Sequence, residues 1–500
     1  MKKYIINNWI YFFVGITALA LLSYFISLKL IDGGRWGIGM ILGGVDNWMN
    51  GGTFYGSLKD GISVGSIYSP GGIFLALLFR PIFGFNAETA IIICGGLFAI
   101  LTFYGFAKIE TDDHRKTFWY FIICLSFFFI GFPSVRRYLF EIHPDVPAIM
   151  FFVWGILSIC KFLKSQKNLF FLFSVILFFF SGVFKANALF LFLGLGLYTV
   201  FSKKLLLKQK ILILISEAIS GASVLIAMFS IDGCLFNSVE VMSKHPLDTL
   251  YAYVYFIYIT LKYNPLYIAL LLVYFALLIK RRVKFNSIKE EMWMSSATLW
   301  FLFGMYGTAK EGSNEGNIEA SIIAFMPFAI VALVYIIKVC AIKYRNVTEY
   351  KGFVYGMKTI LFISCILITS YSIILVGQNI SKFQNRISQQ KIFAHWLNSR
   401  YPNANVTYFC GLYELLNNTV VNKKTDLHLV THYVLGNYIN DEKLSLLSQN
   451  DRWDVIITIP EIGEKRFPKT FTYFRKLNDS DYPTDYVGAW KRVDVYVRKN

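Results

Sequence analysis

Apolar stretches of membrane-spanning length recur along most of the chain, separated by short polar turns. A spanning helix needs about 20 mostly apolar residues, because every backbone N–H and C=O must find its partner inside the lipid. Such stretches occupy residues 9–30, 87–107, 118–133, 146–162, 168–183, 187–202, 211–230, 265–279, 293–308, 321–338 and 354–376, eleven in all. The first follows Met1-Lys2-Lys3 and is too long and apolar for a signal-peptide core, so an uncleaved span is expected. Residues 73–84, apolar apart from Arg80, predict a re-entrant or interfacial helix.

Beyond residue 377 the period changes. Gln378 to Arg400 reads as an amphipathic helix with Ile387, Ile392, Phe393, Trp396 and Leu397 on one side. Asn405–Phe409, Asp454–Ile459 and Val493–Val497 read as short buried strands bounded by turn residues, with helical patches at 427–438 and 441–449. The expected fold is an α-helical polytopic membrane protein over residues 1–377, with about eleven transmembrane helices, followed by a C-terminal α/β domain over 378–500.

Composition agrees: 56% of residues are hydrophobic and 16% charged, against about 25% charged in average proteins. The net charge of +18 would point to nucleic acid in a soluble chain, so its placement matters. With the N-terminus in the cytoplasm, one set of turns collects Arg115/Lys116, Lys161/Lys164/Lys167, Lys203/Lys204/Lys208/Lys210, Lys280/Arg281/Arg282/Lys284 and Lys338/Lys343/Arg345/Lys351. This is the positive-inside bias, and it places the α/β domain outside the cytoplasm. Residues 378–500 hold 17 Lys and Arg against 12 Asp and Glu, only +5 of the total. Charge here reports a multi-pass protein of the cell membrane in contact with lipid, and nucleic acid is not an expected partner.

The seven cysteines show no metal-ligand spacing. Cys234 and Cys410 both fall on the external side and are either a disulfide or two free thiols. Chemistry-bearing residues collect in four external turns. The long loop 31–72 carries Asp32, Asp46, Tyr55 and Tyr68-Ser69-Pro70. The run Arg136-Arg137-Tyr138-Leu139-Phe140-Glu141-Ile142-His143-Pro144-Asp145 sets two arginines on the cation-poor side, either binding an anion or pairing with Glu141 and Asp145. Lys185 interrupts an apolar hairpin, where a lone ammonium needs water or a counter-charge. The last turn holds Lys310, Asn314, Asn317 and Glu319. Cations suit a phosphate and an acid suits a hydroxyl proton, which fits group transfer from a lipid-linked phosphate to an alcohol.

At this point the chain resembles the polytopic glycosyltransferases of the GT-C fold, which use polyprenyl-phosphate sugars as donors. The resemblance rests on Asp46-Asn47-Trp48-Met49-Asn50-Gly51-Gly52, Tyr55 and Tyr68-Ser69-Pro70 in the first external loop. Ser69 departs from the Tyr-Pro-Pro often found there. His143-Pro144-Asp145 looks like the second acidic position, Lys185-Ala186-Asn187 like the lysine-containing turn, and Gly312-Ser313-Asn314 with Asn317 and Glu319 like the late polar loop.

The resemblance implies inverting transfer of a sugar to a glycan, lipid or protein acceptor. Asp46 is implied as the general base, with Asp32 as the runner-up. Arg136, Arg137, Lys185 and Lys310 are implied to stabilise the leaving polyprenyl phosphate, with Tyr68, His143, Asn314, Asn317 and Glu319 as further substrate contacts. Asp145 would orient the acceptor or hold a divalent cation. Two other readings share the topology: a polysaccharide polymerase or ligase, and a non-catalytic transporter of lipid-linked glycans.

Overall fold

The computed structural model describes residues 15–17, 19–24, 26–27, 41–42, 44–45, 48–49, 51, 53–55, 69–83, 87–131, 145–241, 243–310, 316–343, 349–408, 423–426, 440–450, 452–458, 464, 467–483 and 493–499. Helices dominate the first four-fifths. They are α1 (Pro70–Phe83), α2 (Ala87–Glu110), α3 (His114–Gly131), α4 (Asp145–Ser165), α5 (Asn168–Phe184), α6 (Leu189–Phe201) and α7 (Leu207–Ser230). There follow α8 (Leu250–Tyr263), α9 (Pro265–Ile279), α10 (Ile288–Thr308), α11 (Gly316–Ile323), α12 (Met326–Lys343) and α13 (Glu349–Arg400). Ala90–Glu110, Asp145–Ser165 and Leu207–Ser230 are each long and apolar enough to cross a membrane. The architecture is the polytopic one that the apolar pattern predicts.

Local sequence sets the helix ends. Ser287 caps α10: its side chain accepts from the Glu290 backbone N–H, while the Glu290 carboxylate accepts from the Asn286 N–H at 2.9 Å. This reciprocal Ser-x-x-Glu arrangement satisfies two backbone donors that a bare helix start leaves open. Asp145 stands in the first turn of α4, where the helix dipole favours an anion. Pro402, just beyond Arg400, cannot continue α13.

Packing between helices depends on small residues, because lipid tails supply no hydrophobic drive between spans. A Cβ on Gly194 of α6 would lie 2.5 Å from the Ser296 Cα of α10, so only glycine permits this crossing. The Ser295 hydroxyl donates to the Gly194 carbonyl at the same point, 2.7 Å away. Aromatic rings fill the wider gaps. Phe152 of α4 meets Phe178 of α5 and Phe192 of α6 at centroid distances of 5.0 and 5.3 Å.

Three elements differ from the expectation. The stretch 321–338 is broken: α11 ends at Ile323 and α12 starts at Met326. At the break the Ala324 carbonyl accepts from the Trp293 indole at 2.7 Å, which compensates the lost helical bond. Residues 250–263 form a helix that the reading omitted, and it meets α9 at 90° across Asn264. Residues 378–400 are not a separate helix. They continue α13, a single helix of 52 residues, because nothing between Gly377 and Pro402 breaks it.

The C-terminal residues build one five-stranded sheet in the order β2-β1-β3-β5-β4, from β1 (Asn405–Tyr408), β2 (Lys423–Asp426), β3 (Val455–Thr458), β4 (Phe474–Lys476) and β5 (Asp494–Arg498). The β1 strand pairs parallel with β2 and β3, and β5 runs antiparallel to β3 and β4. The helix α14 (Asp441–Asn450) lies between β2 and β3 in sequence, as a parallel crossover requires. All four residues of β3, Val455 to Thr458, are buried, consistent with a strand covered on both faces. The far end of α13 packs here, with Phe393 and Trp396 against the Tyr482 ring at 6.4 and 5.8 Å.

Candidate functional site

Lys185 sits where the α5–α6 hairpin leaves regular helix. Its backbone is extended, with φ −147° and ψ 116°, and it is followed by a 3₁₀ turn over Ala186–Ala188. A break among apolar helices must account for its backbone groups. The Lys185 N–H donates to the Ser181 carbonyl at 3.2 Å, and the Ala188 N–H donates to the Lys185 carbonyl at 2.8 Å. The Ala186 N–H reaches the Ser69 hydroxyl at 2.8 Å, just before α1.

The Lys185 ammonium donates to the Asp145 carboxylate in the first turn of α4; Asp145 is buried, and the Lys185 side chain is 13% exposed. Its Nζ also lies 5.9 Å from the Trp300 ring centroid on α10, within cation–π range. The α4–α5 crossing is fixed just beside this pair, where the Ser181 hydroxyl donates to the Ala148 carbonyl at 2.8 Å. Asp145 of α4 and Trp300 of α10 therefore converge on the ammonium carried by the α5–α6 turn.

Described residues that precede α1 approach the same point. A Cβ on Gly71 would lie 2.7 Å from the Phe184 Cα, so α1 rests directly on the residue before Lys185. A Cβ on Gly72 would lie 2.7 Å from Ile41 Cδ1, which places Ile41 on the same turn of α1. Ile41 and Val45 are buried. Further along, Tyr55 is buried beside Cys234, and burial pushes both the phenol and the thiol above their ordinary pKa values. Cys234 is a free thiol here.

Of the sequence-derived residues, the structure brings Asp145 and Lys185 together. Lys310 has other partners: its Nζ donates to the Ser243 carbonyl at 2.7 Å and lies 5.5 Å from the Tyr306 ring centroid. Asn317 and Glu319 belong to α11. Asp32, Asp46, Tyr68, Arg136, Arg137, His143 and Asn314 lie outside the described residues. Trp300 falls within the apolar stretch 293–308, and no spacing rule connects it to Lys185. Among the described residues no group of three or more His, Cys, Asp or Glu side chains could hold a metal ion. The Asp145 carboxylate is engaged by the Lys185 ammonium.

The polytopic helices and the C-terminal α/β domain together have a GT-C-like fold, shown by superposition on solved structures. The particular likeness is to ArnT from Cupriavidus metallidurans. Over 98% of both chains, the structure superposes on ArnT bound to undecaprenyl phosphate with a TM-score of 0.54 at 11% identity. On apo ArnT the values are 0.53 and 12%, again over 98% of each chain. The sequence itself matches no family model and no curated protein.

Proposed function

We propose that this chain is an integral-membrane glycosyltransferase that moves a sugar from a polyprenyl-phosphate donor to an acceptor hydroxyl on the extracytoplasmic face. The observation that carries the reading is the buried Lys185–Asp145 pair at the helix break, in a chain with the fold of a protein crystallised with undecaprenyl phosphate. An ammonium with three donors can keep Asp145 and still offer N–H groups to a phosphate oxygen.

In the reaction, the acceptor oxygen attacks the anomeric carbon as the bond from that carbon to the phosphate oxygen breaks. The polyprenyl phosphate leaves with the electron pair, and the acceptor proton passes to a carboxylate. Asp46 is the proposed base, a role typically contributing about 10²–10⁴-fold. Its place in sequence, directly after the buried Val45, supports this, because Ile41, five residues earlier, meets Gly72 of α1, next to the Gly71 that rests on Phe184. Lys185 is the proposed stabiliser of charge growing on the leaving phosphate. Arg136 and Arg137 are proposed to add to it from the neighbouring external turn, with Lys310 as a further cation. Asp145 acts through Lys185 by keeping it charged and oriented.

The test uses purified full-length protein in nanodiscs, radiolabelled polyprenyl-phosphate hexose or pentose, and envelope extract as the acceptor source. Wild-type protein is expected to release polyprenyl phosphate, and Asp46→Asn to abolish release while leaving the protein folded. Transport of intact donor across the bilayer without cleavage would favour the transporter reading instead.

A further inference from the structure

We infer that Ser69 is a positioning residue of the donor-phosphate subsite, setting the direction of Lys185 through a side-chain-to-backbone hydrogen bond. The inference rests on the assignment of Lys185 to the phosphate. Three of the bonds around the helix break come from within the hairpin: Lys185 N–H to Ser181, Ala188 N–H to Lys185, and the Leu189 N–H to the Ala186 carbonyl. The Ala186 N–H alone of these looks outside, to a hydroxyl 117 residues earlier in the chain. Ser69 is buried, and an unmatched N–H at this depth would cost a full desolvation penalty.

The neighbours of Ser69 turn that bond into a clamp. Pro70 opens α1, and its ring holds the preceding residue in extended backbone. Gly71, lacking a Cβ, lets α1 settle against Phe184. Two consecutive contacts, Ser69 on Ala186 and Gly71 on Phe184, thus bracket Lys185 from either side. Asp145 holds the tip of the lysine, and Ser69 holds its backbone. This also gives a physical reason for serine at a position where the GT-C pattern often has proline. A proline has no side-chain oxygen to accept the Ala186 N–H.

The experiment compares Ser69→Ala, Ser69→Thr and Lys185→Ala in the same nanodisc assay of polyprenyl-phosphate sugar cleavage, with folding checked by thermal unfolding. Because a misplacement of about 1 Å in a charged group can cost about 10²-fold, Ser69→Ala should lower kcat by roughly 10- to 100-fold. Donor KM should change less than about threefold, since the lost interaction is one made in the transition state. Ser69→Thr, which keeps the hydroxyl, should restore turnover. Equal impairment of the Ala and Thr variants overturns the inference, because then the hydroxyl is not what matters. A fully active Ser69→Ala beside an inactive Lys185→Ala also overturns it while leaving the function standing. A fully active Lys185→Ala overturns the underlying assignment itself.

Discussion

Asp145 and Lys185, 40 residues apart, meet as a buried ion pair at the point where α5 gives way to α6. Removing one member of a buried pair leaves an uncompensated charge, at a cost of about 3–5 kcal/mol. Asp145→Ala and Lys185→Ala should each destabilise the protein, and the double variant Asp145→Ala/Lys185→Ala should lose clearly less than the sum. Unfolding of the purified protein in detergent measures this. Strict additivity would mean that the two groups do not interact.

Gly71 makes a sharper geometric prediction. Alanine there would drive a methyl group into the Phe184 backbone and ring, both 2.7 Å from the ideal Cβ position. Overpacking of this kind costs about 1–3 kcal/mol. Gly221 on α7 has open space within 4 Å and serves as the control. Gly221→Ala should be neutral or stabilising by about 0.5–1 kcal/mol, the usual helix gain over glycine. Thermal midpoints of the two variants should move in opposite directions, and equal shifts would contradict the described contact.

A third prediction concerns pH and lies away from the site. Asp112, between α2 and α3, accepts from Lys289 at 2.9 Å and from Lys164 at 3.2 Å. The Lys289 hydrogen bond, foremost, holds its carboxyl below the ordinary value of 3.8. A carboxylate whose pKa is lowered by folding stabilises the protein above its unfolded pKa, and that contribution disappears as pH falls through the folded value. Asp112 is largely exposed, so screening limits the effect to about 1 kcal/mol or less. The stability difference between wild type and Asp112→Asn should be constant from neutral pH to about pH 5 and should shrink below the ordinary carboxylate pKa. A difference that grows on acidification would contradict the pairing.

Glu217 offers a contrasting case. It is buried on α7, and its Oε1 has no hydrogen-bond partner among the described residues. Replacing an unmatched buried polar group by an apolar one of similar size is expected to be neutral or stabilising. Glu217→Leu should therefore keep or raise the thermal midpoint, and a large loss would show that the carboxyl has a partner of its own.

The apolar period exposes the three helices long enough to span, Ala90–Glu110, Asp145–Ser165 and Leu207–Ser230, among the described residues, because lipid imposes one solution on the backbone. Where the signal was ambiguous, the reading went astray. Leu250–Tyr263 is apolar and rich in tyrosine but interrupted by Lys262 and Asn264, so its helix went unread. The strand Lys423–Asp426 has the sequence KKTD, with no apolar alternation to announce it; its parallel pairing with β1 is a tertiary fact. At the site, Lys185 and Asp145 were visible as charges in costly places. Their pairing was not, since no spacing rule relates two helix ends 40 residues apart. The importance of Ser69 was likewise hidden, because it acts on a backbone N–H that carries no sequence label.

One feature of the fold governs how the two parts of the chain are geared together. With 52 residues at about 1.5 Å each, α13 extends roughly 78 Å, more than twice the hydrocarbon thickness of about 30 Å. Thr369 and Asn379, in its first two-thirds, bond Thr17 and Ser27 near the N-terminus, while Phe393 and Leu397 enter the core of the sheet domain. Such a shaft transmits angle as well as distance. Adding a single residue between Asn379 and Phe393 would turn everything beyond it by about 100° and advance it by about 1.5 Å. The sheet domain is therefore keyed to the membrane helices by phase, and an inserted residue would misalign it more severely than the loss of any one contact in its core.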